Sequence, residues 1–219
     1  MAVLIPNLGF RLSRVDALSR ATTLFGPGGG VASGAVEVIR AAAGEFERVV
    51  GSLPVDVWDN GTPCDITVRE VVDHVVAGNV FAVRLLAGAS VAEATAGLDA
   101  DQLGDDPLGA VVASCESQST AFAGADENRV LHHPSGDISL DTFVRFRLGE
   151  LVVHSWDLAV GGGLDPSLDP AVIEALWALV EPNLDEMRTM GAFGPGASAN
   201  LPDNSSPQNR LLDAFGRRP

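Results

Sequence analysis

Apolar positions recur every three or four residues over most of this chain, the period of a helix buried along one face. Val36, Ile39, Ala43, Phe46 and Val50 form one such seam and predict a helix over 34–50. Val71, Val75, Gly78, Ala82 and Leu85 form a second, over 67–86. This second helix has a clear start. Thr67 at the N-cap and Glu70 three residues later make a capping box, in which each side chain satisfies a backbone N–H of the other. Further helices are predicted over 108–122, 140–160 and 171–190. They are separated by turn-rich stretches such as SLPVDVWDNGTP, LHHPSGD and GGGLDPSLDP. No run alternates apolar and polar β-branched residues, so the fold class is all-α, a bundle of four main helices with additions.

The ends are less regular. FRLSRVDALSRATTLF can form a short helix, with Leu12, Val15 and Leu18 on one side, and GPGGG breaks it. Residues 1–33 are therefore expected to be an N-terminal arm, and 34–219 a single bundle domain. The segment after Met190 reads as loop, with one short helical turn near the end.

The helix over 140–160 departs from a simple amphipathic pattern. Apolar residues, among them Phe146, Leu148, Leu151, Val152, Val153, Trp156 and Leu158, cover most of its circumference. Arg147, Glu150, His154 and Asp157 step by three, four and three residues and share the remaining stripe. A solvated face is the simplest reading of such a stripe. On a largely buried helix, however, charged groups must find partners. Glu150 and His154, one turn apart, can reach one ion. Asp157 can accept a proton from the His154 imidazole, and Arg147 can neutralise excess carboxylate or hold an anionic ligand such as a substrate carboxylate. His74 lies on the apolar seam of the second helix. A lone histidine there is more often a hydrogen-bonded core residue, but with Glu150 and His154 it completes three ligands. A three-ligand set leaves one coordination position open, the usual arrangement of catalytic zinc.

Composition narrows the function classes. The net charge is -15 and the pI about 4.4, so phosphate backbones and anionic membranes repel the chain. All 14 basic residues are Arg, a bias that fits a GC-rich genome better than it fits any function. Two cysteines, Cys64 and Cys115, are too few for a disulfide framework and suit a reducing cytoplasm. There is no apolar run of membrane-spanning length and no signal-peptide pattern. Cys64, Cys115, Trp156 and Trp177 have packing or loop positions as their simplest reading.

TPCDITVREVVDHVVAGN and ELVVHSWDLAVGGG resemble the two metal segments of the DinB-like, mycothiol-dependent maleylpyruvate isomerase superfamily of actinobacteria. HHPSGDISLDTF, FGPGASANLPDNSSPQNRLL and FGRRP extend the resemblance, which is closest to a short metal-binding branch and spans about 34–219. It implies a DinB-like four-helix bundle with the metal at one open end, held by His74, Glu150 and His154, and a site able to activate a thiol such as mycothiol. The family usually has Trp where this chain has Ile66. The isomerase also carries a further C-terminal domain that this chain is too short to include, so isomerase activity itself is not implied.

Three functions remain open. One is a zinc- and thiol-dependent S-transferase or isomerase-like enzyme acting on a small electrophile. The second is a zinc hydrolase, for which His132 or His133 would have to reach the rim of the site. The third is a non-catalytic metal- or ligand-binding module, closed by a fourth protein ligand. The expected partners are a small-molecule substrate and a thiol, with no nucleic acid and no membrane; a homodimer is compatible with the sequence.

Overall fold

The computed structural model describes residues 31–183, 197–198 and 200–219. In chain order these form α1 (Val31–Ser52), α2 (Val68–Leu86), a short α3 (Val91–Thr95) and α4 (Pro107–Ala123). A hairpin of β1 (Leu131–His133) and β2 (Gly136–Ile138) follows. Then come α5 (Leu140–Gly161), α6 (Pro170–Val180), a 3₁₀ turn (Glu181–Asn183) and α7 (Pro207–Ala214). The all-α, DinB-like bundle expected from the sequence is the architecture observed. The arm expected over 1–33 lies outside the described residues except at the start of α1. Residues 184–190 of the helix predicted over 171–190 also lie outside them.

α1 packs against α4 and α5, and α2 packs against the same two helices. Consecutive α1 and α2 therefore stand at opposite corners of the bundle, which lets residues of α2 face α5 directly. The seams meet in a core where Ile39, Phe46, Val71, Val75, Leu85, Val111, Leu148, Leu151 and Leu158 are at most 1% exposed. Each such side chain contributes roughly 1.5–3 kcal/mol by leaving water. Among the described residues, no helix is long and apolar enough to cross a membrane.

Local chemistry sets the helix starts. The Thr67 side chain accepts from the Glu70 N–H at 3.2 Å, and the Glu70 carboxylate accepts from the Thr67 N–H at 2.7 Å, closing the predicted capping box. Ser90 and Glu93 repeat this device ahead of α3, which the apolar period does not reveal. Asp106, Asp169 and Ser206 cap helices whose first turn carries Pro107, Pro170 and Pro207, where a missing N–H costs nothing. Ser139 caps α5.

The LHHPSGD stretch is more ordered than the loop expected there. Leu131 pairs with Ile138 and His133 with Gly136 in an antiparallel register. Gly136 has φ 110°, in the region a side chain disfavours. Three-residue strands are too short to display a period of two, so the hairpin left no pattern to read.

Candidate metal centre

The site begins with the opposition of α2 and α5. His74 points from the second turn of α2 toward Glu150 in the middle of α5, and its Nε2 lies 2.7 Å from Glu150 Oε2. The same carboxylate oxygen is 3.4 Å from Nε2 of His154, one turn further along α5. The two imidazoles meet edge to face with centroids 5.2 Å apart. One donor atom from each of His74, Glu150 and His154 lies within 4.8 Å of the other two. His74 and His154 are buried, and the Glu150 side chain keeps 15% exposure. The structure therefore brings together the three residues read from the sequence as ligands.

Electrostatics bind the cluster. Burial opposes ionisation of Glu150, but hydrogen bonds from His154 and His74 outweigh it and hold the carboxyl well below its ordinary range. Burial likewise disfavours charge on His154. Its contacts with Asp157, Cys64 and Glu150 prevail and raise its pKa well above the usual value. Without a metal ion, a proton on His154 thus balances Glu150. A divalent cation suits the same place, because two imidazoles and one carboxylate converge there and the cation takes over that balancing charge.

Asp157 is fully buried and sits behind the cluster. His154 Nδ1 donates to Asp157 Oδ2 at 2.9 Å, since a carboxylate only accepts. This leaves Nε2 directed at Glu150. Asp157 does not act alone. Arg217, in the segment after α7, donates from Nε to Oδ1 at 2.8 Å and from Nη2 to Oδ2 at 2.6 Å. No helical period could announce Arg217; the closing FGRRP was its only trace in the sequence. Asp157→Asn is expected to weaken divalent-metal affinity by roughly 10- to 100-fold, the usual cost of losing such a partner. Competition with a chromophoric chelator measures this, and wild-type affinity in the variant would refute the role.

Arg147, the first residue of the polar stripe, is held deep in the bundle. It is only 2% exposed. Its Nε donates to Gln118 Oε1 and its Nη2 to Asn79 Oδ1, both at 2.8 Å. Its guanidinium lies against the backbone of α2 at Gly78, where an added Cβ would come within 2.5 Å of Nη1. These contacts turn the group into the bundle, among α2 and α4. Burial pulls its pKa down, and the nearby Glu150 charge partly restores it.

The two hairpin histidines are also committed elsewhere. His132 is exposed and paired with Asp137 at 2.7 Å. His133 is buried among Phe81, Phe143 and Phe146, and its Nδ1 accepts from the Ser135 hydroxyl and N–H. Burial, aided by the Arg147 charge, pushes its pKa down to about 4. The fold thus favours neutral His133. The stability it provides is complete above the unfolded value near 6.5 and is lost as pH falls toward 4. His133→Asn, which keeps an acceptor, should flatten the dependence of stability on pH across this window by about 3 kcal/mol. Denaturant titrations of both proteins at neutral and mildly acid pH check this; parallel curves would refute it.

Cys64 approaches His154 from the loop between α1 and α2. Its Sγ is 3.1 Å from Thr62 Oγ1. Cys64, His154 and Asp157 form a second group whose donor atoms lie within 4.8 Å of one another.

Residues 39–159 match the family model described as the mycothiol maleylpyruvate isomerase N-terminal domain. Two uncharacterized proteins, from two strains of Mycobacterium tuberculosis, are each 27% identical to this chain over 182 residues, covering 78% of it and 91% of their own length. No solved structure matches.

Proposed function

Because the chain belongs to the mycothiol maleylpyruvate isomerase N-terminal domain family, we propose that it is a zinc-binding, thiol-dependent transferase or isomerase-like enzyme acting on a small electrophile. His74, Glu150 and His154 would hold the ion, with Asp157 orienting His154. The observation that carries this reading is the convergence of three donor atoms between α2 and α5, each backed by a packed helix. When bound, a divalent ion with one open position lowers the pKa of a coordinated low-molecular-weight thiol, mycothiol by the family's association. The protein's own part is to fix both imidazoles, keep Glu150 ionised and shield the site within the bundle. The two cysteines are free, as suits a reducing cytoplasm. Residues 34–219 serve as one domain in this reading, since α7 packs on α6 and α6 on α5.

A hydrolase draws less support, because His133 is held by Ser135 and aromatic rings and His132 by Asp137. A closed, non-catalytic site has one specific observation behind it, the position of Cys64 beside His154. Cobalt substitution separates the readings. The loaded protein should develop a sulfur-to-metal charge-transfer band on adding mycothiol or a simpler thiol, and Glu150→Ala or His154→Ala should abolish it. A spectrum unmoved by thiols would overturn the proposal.

A further inference from the structure

Two candidate ligand sets overlap in this protein. His74, Glu150 and His154 form one, and Cys64, His154 and Asp157 form the other. They share His154, so one ion cannot occupy both in full. The second set includes a cysteine sulfur, a donor zinc and cobalt favour. What sets the two apart is the state of their carboxylates. Glu150 keeps 15% exposure, and its close ion-pair contacts are with the His74 and His154 imidazoles. Asp157 is fully buried, and both its oxygens are taken by the Arg217 guanidinium, at 2.8 and 2.6 Å.

We infer that Arg217 selects the ligand set: by holding both oxygens of Asp157 it keeps that carboxylate out of the metal's coordination and directs the ion to His74, Glu150 and His154. The inference rests on the metal reading of the preceding subsection and adds a residue outside the stretch that matches the family model, 39–159. The physical case is charge and geometry. A bidentate guanidinium neutralises the carboxylate and, with the His154 Nδ1–H, occupies most of the lone pairs that a cation would use. It also places a fixed positive charge beside the second set. Removing it leaves a buried carboxylate with only the His154 Nδ1–H to pair it, a costly state that a cation relieves. With Cys64 and His154 already in reach, the cation that relieves it is the metal ion.

Arg217 is well placed to be tested alone, because the segment that carries it is anchored by other contacts. Phe215 is 3% exposed and fills the notch at Gly149 of α5, where a Cβ would come within 2.7 Å of its ring. Leu211 and Leu212 are completely buried. Losing one guanidinium should leave this segment docked.

The test uses the full-length protein loaded with cobalt, with no thiol added. Wild type should show no sulfur-to-cobalt band, and Arg217→Met should show one that Cys64→Ala removes in the same background. Ligand dependence should also switch. His74→Ala should empty the wild-type site, whereas Arg217→Met combined with His74→Ala should regain about one ion per chain. Arg217→Lys gives a second measurement should the Met variant fold poorly. Its single ammonium cannot hold both oxygens, so a weaker band is expected. Arg218→Met, altering a neighbour paired with Asp213, should leave the wild-type spectrum. A sulfur band in the wild type, or Arg217 variants with a wild-type spectrum and continued need for His74, overturns the inference. If wild type takes up no cobalt at all, the metal reading itself fails, and this is distinct from loading with an unchanged Arg217→Met spectrum.

Discussion

His74→Ala is expected to lower bound divalent metal from about one ion per chain to none, while helical circular dichroism stays close to wild type. The two halves of this expectation have different causes. His74 is the sole donor that α2 brings to the cluster, so its loss leaves two ligands from α5, too few to hold an ion against water. The core lies elsewhere on α2. Val71, Val72, Val75 and Ala82 are completely buried on helix faces that this substitution leaves in place. Elemental analysis after purification, with zinc titration of the metal-free protein, measures occupancy. Full occupancy in the variant would remove His74 from the ligand set.

Arg147→Ala is expected to cost roughly 3–5 kcal/mol of stability and to leave metal stoichiometry intact. Asn79 Oδ1 and Gln118 Oε1 each lose a charged donor at 2.8 Å, and a buried acceptor left unmade costs about 1–3 kcal/mol. The vacated volume adds a cavity cost, partly offset because no cation remains to be desolvated. Among the described residues, Gln118 Nε2 already lacks a hydrogen-bond partner, so this cluster has little slack. For a chain of this size the loss corresponds to a melting temperature lower by about 10 °C. Thermal and denaturant unfolding test it. A stable variant with weakened binding of carboxylate-bearing compounds would instead support a substrate-holding role for Arg147.

These two predictions mark what could be read in advance. The stripe of Arg147, Glu150, His154 and Asp157 was visible because helical geometry ties spacing to direction. The capping box at Thr67 and Glu70 set the register of α2, and with it the position of His74. The destination of each side chain along the stripe was not visible. Arg147 turns to Asn79 and Gln118, Glu150 and His154 turn to His74, and Asp157 turns to Arg217, 60 residues further on. Spacing within one helix cannot say which neighbour waits opposite, and the segment carrying Arg217 has no period from which to place it. The hairpin at Leu131–Ile138 and the helix after Ser90 escaped for a related reason: each is shorter than the window in which a period shows.

The contact between Gly78 and Arg147 bears on how this sequence can diverge. An Nη1 atom that would lie 2.5 Å from a Cβ at position 78 sets the two positions in competition for the same space. A lineage that gains alanine at 78 while keeping arginine at 147 must displace the guanidinium and so disturb its bonds to Asn79 and Gln118. One that first shortens 147 opens room for a larger residue at 78. The order of substitution therefore matters, and the pair should covary among relatives as a unit, glycine with arginine or a side chain with something smaller.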